Sequence, residues 1–395
     1  MIHGLTDQYP SLFLHTPNPF LRLSVIVPAK DEAEFIATTL DALRLQVDYS
    51  GQAISKEVYE VLVLANNCSD HTFDICKAYQ AQYPDFNLLV ENVQIATEQA
   101  HIGTVRRLLM DAAYERLMNT AGQKGIIVST DADSNVDQQW IFQILSEMEK
   151  GVDVVGGRII PKGTPTLAKR HHLKDVGYRF LQTRLESELD PCESNPWPRH
   201  FQCYGPSLAV TCEIYDRAGR IPAIPFLEDE EFRKALKRVD AKIRHSPKVI
   251  IYTSARLTGR VDFGFSVQLQ YWKEMTKRCE HQMVESFDCL RMKLMLKKEF
   301  RSLWKAVKAG REMTMETHAL ACKMDFELET LSRWLNQGKY FEAVWEEIES
   351  ILTKRLTKLM PLQPISDSIR ELRSYFSGFN VISKSRSYAQ PAIAV

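Results

Sequence analysis

A chain of 395 residues, 45% hydrophobic and 25% charged, has the composition of a globular protein and is long enough to divide into more than one folding unit. Fifty basic residues against fifty acidic ones leave no net charge, so the bulk balance gives no reason to expect nucleic acid or an acidic surface as partner. The eight cysteines, at 68, 76, 192, 203, 212, 279, 289 and 322, form no C-x-x-C pair, which argues against a short-spaced zinc site or disulfide framework.

The opening stretch, MIHGLTDQYPSLFLHTPNPF, is read as an N-terminal extension (1–20). It lacks the basic-then-apolar order of a signal peptide, and nowhere do about 18 apolar residues run together, so a cytoplasmic location is the expectation. From 21 to 160, short apolar runs alternate with helical spacing. The predicted strands are LSVIVP (23–28), YEVLVLAN (59–66), NLLVEN (87–92), GIIVST (125–130) and VDVVGGRII (152–160). Between them lie predicted helices over 31–46, 70–82, 103–120 and 136–150. Near-continuous apolar strands alternating with amphipathic helices predict an α/β fold with a mostly parallel sheet covered on both faces. From 161 to 265 the chain is rich in Pro and Gly, as in ESNPWPRHFQCYGPSLAV, and reads as loops with short strands. From 266 to 395 it reads as a helical appendage with a loose, Ser- and Ala-rich end.

In such sheets ligands sit beyond the carboxyl ends of the strands, and the polar clusters PAKDE, NNCSD and STDADS fall at those ends. Asp131 and Asp133 close the fourth strand as Asp-x-Asp. Two carboxylates together are expensive unless a positive group joins them. Mg2+ or Mn2+ suits the position, since these ions bind through one or two carboxylates plus phosphate oxygens of a ligand. The bland reading is a strand end that caps the next helix. An Asp-nucleophile, haloacid-dehalogenase-like phosphohydrolase also uses such a pair, but normally on its first strand.

LSVIVPAKDEAEFIATTLDAL, YEVLVLANNCSDHT, GTVRRLLMDAA, STDADSNV and FLEDEEF, in this order, resemble family 2 GT-A glycosyltransferases over about residues 21–265. The resemblance implies a GT-A, Rossmann-like fold and metal-dependent, inverting transfer of a sugar from a nucleotide-diphosphate donor to a hydroxyl acceptor, whether glycan, lipid-linked or small molecule. Residues 21–160 are then the nucleotide-sugar-binding half, and 161–265 the half holding acceptor and catalytic base. Pro28, Ala29 and Glu32 match the loop that packs on the nucleotide. The second strand ends in Ala65-Asn66-Asn67-Cys68 where the family usually has Asp-Asp-Gly-Ser. Asn66 can still read a base edge, because an amide both donates and accepts. That departure also keeps open a non-catalytic nucleotide-sugar binding module.

By the same resemblance Arg106 or Arg107 reaches the donor, as planar guanidinium suits anions. Asp133 ligates the metal directly, and Asp131 contacts the ribose or the metal's water shell. Asp229 matches the catalytic base, with Glu228 as the substitute; four acids opening a helix would also be stabilising there without any chemistry. Arg256 and Arg260, in TSARLTGR, suit a lid over the diphosphate, and His200 or His245 could add a metal ligand. The stretch 291–311, with eight Lys or Arg and one acid, can lie on an anionic membrane or pack on the protein, and packing is the preferred reading.

Overall fold

The structure is a computed structural model that describes residues 12–162, 167–253 and 265–387. Its chain forms two compact units, Met1–Thr164 with Glu193–Gln268 and Pro165–Cys192 with Leu269–Val395.

The first unit holds strands β1 (Leu23–Ala29), β2 (Tyr59–Asn66), β3 (Leu88–Val93), β4 (Ile126–Ser129), β5 (Ser134–Val136), β6 (Val154–Pro161), β7 (Leu208–Thr211) and β8 (Ile243–Thr253). Its helices are α1 (Ile36–Arg44), α2 (Thr72–Gln82), α3 (Ile102–Met118) and α4 (Trp140–Met148), and further along α6 (Cys212–Arg217) and α7 (Glu228–Arg238). The strands make one sheet in the order β3-β2-β1-β4-β7-β6-β8-β5. Only β7 and β5 run against the rest. This is the mostly parallel sheet that the alternating pattern predicts.

Every residue of β1 and β2 is buried, because both faces of the sheet are covered. The two-residue pleat sorts their side chains between two cores. Val25, Val27, Val61, Val63 and Val128 pack with Ile36 and Leu40 of α1 and Trp140 of α4. Ile26, Leu62, Leu64 and Ile127 pack instead with Leu108, Leu109 and Ala113 of α3 and Phe232 of α7. Each such side chain contributes about 1.5–3 kcal/mol by burial. One charge is buried among them. Glu60 of β2 is wholly enclosed and accepts from Arg116 Nε at 2.9 Å, Arg116 Nη2 at 2.6 Å and Ser24 Oγ at 2.7 Å.

The second unit comprises α5 (Leu167–Leu189), α8 (Phe265–Lys277), α9 (Phe287–Lys308), α10 (Thr314–Met324), α11 (Leu328–Gln337), α12 (Phe341–Leu359) and α13 (Ile365–Ser387), with a two-strand ribbon of β9 (Met283–Val284) and β10 (Gln363–Pro364). Leu296, Phe300 and Leu303 of α9 share a core with Leu320, Leu331 and Trp345. Within the basic stretch 291–311, Lys293 pairs with Glu285 at 2.8 Å, Lys297 with Glu342 at 3.0 Å and Arg301 with Asp190 at 3.0 Å. Its apolar face and three of its cations are thus engaged inside the helical unit, whereas Lys298, Lys305 and Arg311 are exposed. Among the described residues no helix is long and apolar enough to cross a membrane.

The structure corrects one expectation about 161–265. Rather than loops and short strands throughout, it opens with the 23-residue helix α5, in which Tyr178, Leu181, Leu185 and Leu189 recur at helical spacing and pack in the second unit. The Pro-rich composition that suggested loops lies downstream, in 191–206.

Candidate active site

The polar clusters gather at the carboxyl ends of β1, β2 and β4, as the parallel topology requires. Pro28 and Ala29 are buried at the end of β1, and Asn66 is buried at the end of β2. The loops that follow are laced together. Asp31 Oδ1 accepts from the backbone N–H of Ser69 at 2.6 Å and of Asp70 at 3.3 Å. In return Asp70 Oδ2 accepts from Ala33 N–H at 3.0 Å, and Glu32 N–H donates to Thr72 Oγ1 at 2.7 Å. Asp31 and Asn67, at φ 52° and 48°, both take the left-handed conformation that Asp and Asn tolerate. Asp31, Cys68 and Asp70 bring ligand atoms within 4.8 Å of one another, a grouping that the sequence reading missed. Backbone donors already account for its two carboxylates.

The Asp-Ala-Asp turn is anchored by its middle residue. Ala132 packs in the core and its carbonyl accepts from Thr39 Oγ1 at 2.8 Å, leaving Asp131 and Asp133 half-buried on either side of it. The turn then continues straight into β5, so the aspartates sit on a short constrained connection.

Asp131 has a protein partner. Arg106 Nη2 of α3 donates to its Oδ1 at 2.7 Å, and Arg106 Nη1 donates to Glu228 Oε1 at the start of α7. Arg106 is 3% exposed. The positive group required between buried acids is therefore this guanidinium, which joins acids from two elements instead of reaching outward to a donor. Arg107, the other candidate for that contact, is directed elsewhere: its Nε donates to Asp111 at 2.6 Å and its Nη1 to the Ile221 carbonyl at 2.9 Å.

Burial pushes the Asp131 carboxyl up to about 6, with Asp133, Glu228 and Asp229 pushing the same way and Arg106 opposing them. Glu228 is also raised, first by burial. In the first turn of α7, Glu230 pairs with Arg233 at 2.6 Å and Glu231 with Lys234 at 2.7 Å, so these two acids serve the helix. Glu228 and Asp229 turn instead toward Arg106 and the Gly205 backbone. Asp229 Oδ2 accepts from Gly205 N–H at 2.9 Å and its Oδ1 from Glu230 N–H at 2.8 Å.

The residues present suit a divalent cation. Asp133, Glu228 and Asp229 all lie close enough to act on Asp131 beside the Arg106 guanidinium, so carboxylate oxygens from two elements gather in one place. Mg2+ and Mn2+ ask for few protein ligands beyond one or two such oxygens. The two histidines considered as ligands are otherwise engaged, His200 Nε2 with the Ser246 carbonyl at 3.0 Å and His245 Nδ1 with Asn195 at 3.0 Å. Arg256 and Arg260 lie outside the described residues.

Comparison with known proteins gives a family likeness. Residues 24–197 match the sequence profile of Glycosyl transferase family 2. The chain is 29% identical over 236 residues to Glycosyltransferase AglE of Haloferax volcanii, covering 53% of this chain and 69% of that one. Among solved structures, S. aureus TarS in complex with UDP-GlcNAc is similar at 14% identity, with a TM-score of 0.43 and coverage of 86% of this chain and 93% of that chain. The mannosyltransferase PcManGT from Pyrobaculum calidifontis, in complex with GDP-Man and Mn2+, is similar at 16% identity, with a TM-score of 0.40 and coverage of 89% and 83%. Likeness of that size leaves the fold to be argued from the sheet order and strand directions. Residues 24–197 of this chain are thus similar to glycosyl transferase family 2, and the sheet that carries them is GT-A-like, Rossmann-like and mostly parallel.

Proposed function

We propose that this glycosyltransferase moves a hexose from a nucleotide-diphosphate donor to a hydroxyl of a glycan, lipid-linked or small-molecule acceptor, with inversion at the anomeric carbon. The observation that carries the reading is the convergence of Asp131, after β4, and Glu228, beside Asp229 at the start of α7, on one buried arginine. A single displacement needs one acid on the donor side and one on the acceptor side.

Asp133, with the remaining lone pairs of Asp131, would hold Mg2+ or Mn2+. When bound, the ion supplies a Lewis acid for the departing diphosphate. Asp229 takes the acceptor proton. The acceptor oxygen attacks the anomeric carbon, the bond from that carbon to the phosphate oxygen breaks, and its electron pair leaves with the nucleoside diphosphate. Each Asp229 oxygen accepts one N–H here, which leaves lone pairs for that proton. Pro28, Ala29, Glu32 and Asn66 belong to the nucleotide end, at the carboxyl ends of β1 and β2.

The test is a thermal-shift screen of UDP-, GDP- and dTDP-sugars with and without Mn2+, followed by product analysis on an acceptor panel. A ligand that binds the native state at about a hundredfold above its Kd stabilises it by about 2.7 kcal/mol. Stabilisation by one nucleotide sugar, dependent on the cation and accompanied by transfer, supports the proposal. Stabilisation by simple phosphate esters alone would point to a phosphohydrolase, and donor binding without turnover to a binding module.

A further inference from the structure

Arg106 differs from the structural arginine beside it. Arg107 has its Nε matched by Asp111, whereas the Nε of Arg106 is buried without a hydrogen-bond partner. An unsatisfied buried donor destabilises a fold, and a buried ion pair can often be replaced by apolar groups without loss. Stability alone therefore gives poor grounds for an arginine at this point.

The surroundings are shaped to admit it. A Cβ at Gly205 would lie 2.3 Å from Arg106 Nη1 and 2.6 Å from its Cζ, so any larger residue there would displace the guanidinium. The backbone N–H of the same glycine holds Asp229 Oδ2 at 2.9 Å. One residue thus sets both the face of the arginine and one oxygen of the base. At the start of α7, Leu227 is left-handed at φ 57° and gives the helix no side-chain cap. The Arg106 bond to Glu228 and the Gly205 N–H bond to Asp229 fasten this first turn from outside the helix.

We propose that Arg106 is a positioning residue for sugar transfer: by joining Glu228 to Asp131, it fixes the turn that carries Asp229 at a set distance from the acidic connection after β4. The inference rests on the reading of Asp229 as base. Lysine is a poor substitute, because a single ammonium cannot present the planar fork that spans acids on two elements. Displacement of the turn by about 1 Å would lower turnover by roughly a hundredfold while leaving the donor's own contacts in place.

The experiment compares the full-length wild type with Arg106→Gln, Arg106→Lys and Gly205→Ala, by hydrogen exchange and by steady-state kinetics on the donor found in the screen. For Arg106→Gln we expect exchange across 226–236 to rise about tenfold or more while 59–66 stays protected. We also expect kcat to fall about a hundredfold with the donor KM within about threefold. Arg106→Lys should recover only a small part of kcat, and Gly205→Ala, which keeps the charge but moves it, should repeat both effects. Unchanged exchange at 226–236 overturns the proposal, as does a raised donor KM with kcat intact, which would make Arg106 a donor contact. Should Arg106→Gln fail to fold, Gly205→Ala decides by the same two readouts. A wild type that transfers no sugar defeats the functional reading instead, and exchange still decides whether Arg106 fixes the turn.

Discussion

Asp133 and Asp229 are assigned different tasks, and isosteric amides separate them. Asp133→Asn should abolish the Mn2+-dependent part of nucleotide-sugar stabilisation in a thermal-shift assay. Asp229→Asn should keep that stabilisation and lose about 10²–10⁴ in kcat, the usual worth of a general base. Equal loss of donor binding in both variants would defeat the division of labour. At this scale the acids were legible in the sequence, because a polar Asp-x-Asp after an apolar strand, and four acids opening a helix, stand out against their surroundings. The arginines were less so. Arg106 and Arg107 are adjacent on α3, and both are buried, so only the packed structure reveals that one meets Asp131 and Glu228 while the other meets Asp111. Gly205 gave no signal, since its role depends on an approach by a residue 99 positions earlier in the chain.

Between elements, the pair linking β2 to α3 makes a sharp prediction. Glu60 and Arg116 are both enclosed, and Arg116 also donates to the Phe13 carbonyl at 2.6 Å. Removing one partner strands the other charge, so Glu60→Gln should destabilise the protein by about 3–5 kcal/mol in urea unfolding. A change below about 1 kcal/mol would show the pair to be far better solvated than its enclosure implies. A second prediction concerns the start of α3, where a Cβ on Gly103 would fall 2.1 Å from the Ile224 carbonyl oxygen. Backbone cannot yield as a side-chain tip can, so Gly103→Ala should cost about 1–3 kcal/mol despite alanine's better helix propensity. The parallel strands were readable because burial on both faces makes them uniformly apolar. Strands β5 and β7, three and four residues long, are too short to show any period, and they pair antiparallel through partners distant in sequence.

For the whole molecule, acid sensitivity follows from the buried histidines. His200 accepts from Gln202 N–H at Nδ1 and engages the Ser246 carbonyl through Nε2, an arrangement for the neutral ring. Burial, helped by Arg158 and Arg244, lowers it to about 4 from its ordinary 6.5, and burial lowers His245 well below its ordinary value too. Because the folded value lies below the unfolded one, the native state is fully favoured above about 6.5 and loses stability as pH falls from there toward 4, as the unfolded chain takes up the proton first. The slope should approach about 1.4 kcal/mol per pH unit for each histidine. His200→Gln should flatten it in urea unfolding at pH 7, 6 and 5; parallel slopes for variant and wild type would count against this account. The lacing of the loops after β1 and β2 has a further consequence, for recombination. Each loop supplies backbone donors to the other's carboxylate, through Asp31 in one direction and Asp70 in the other. A chimera that takes 30–35 from one parent and 67–72 from another would pair each acid with donors shaped for a different neighbour, so exchanges between relatives must carry both segments as one cassette.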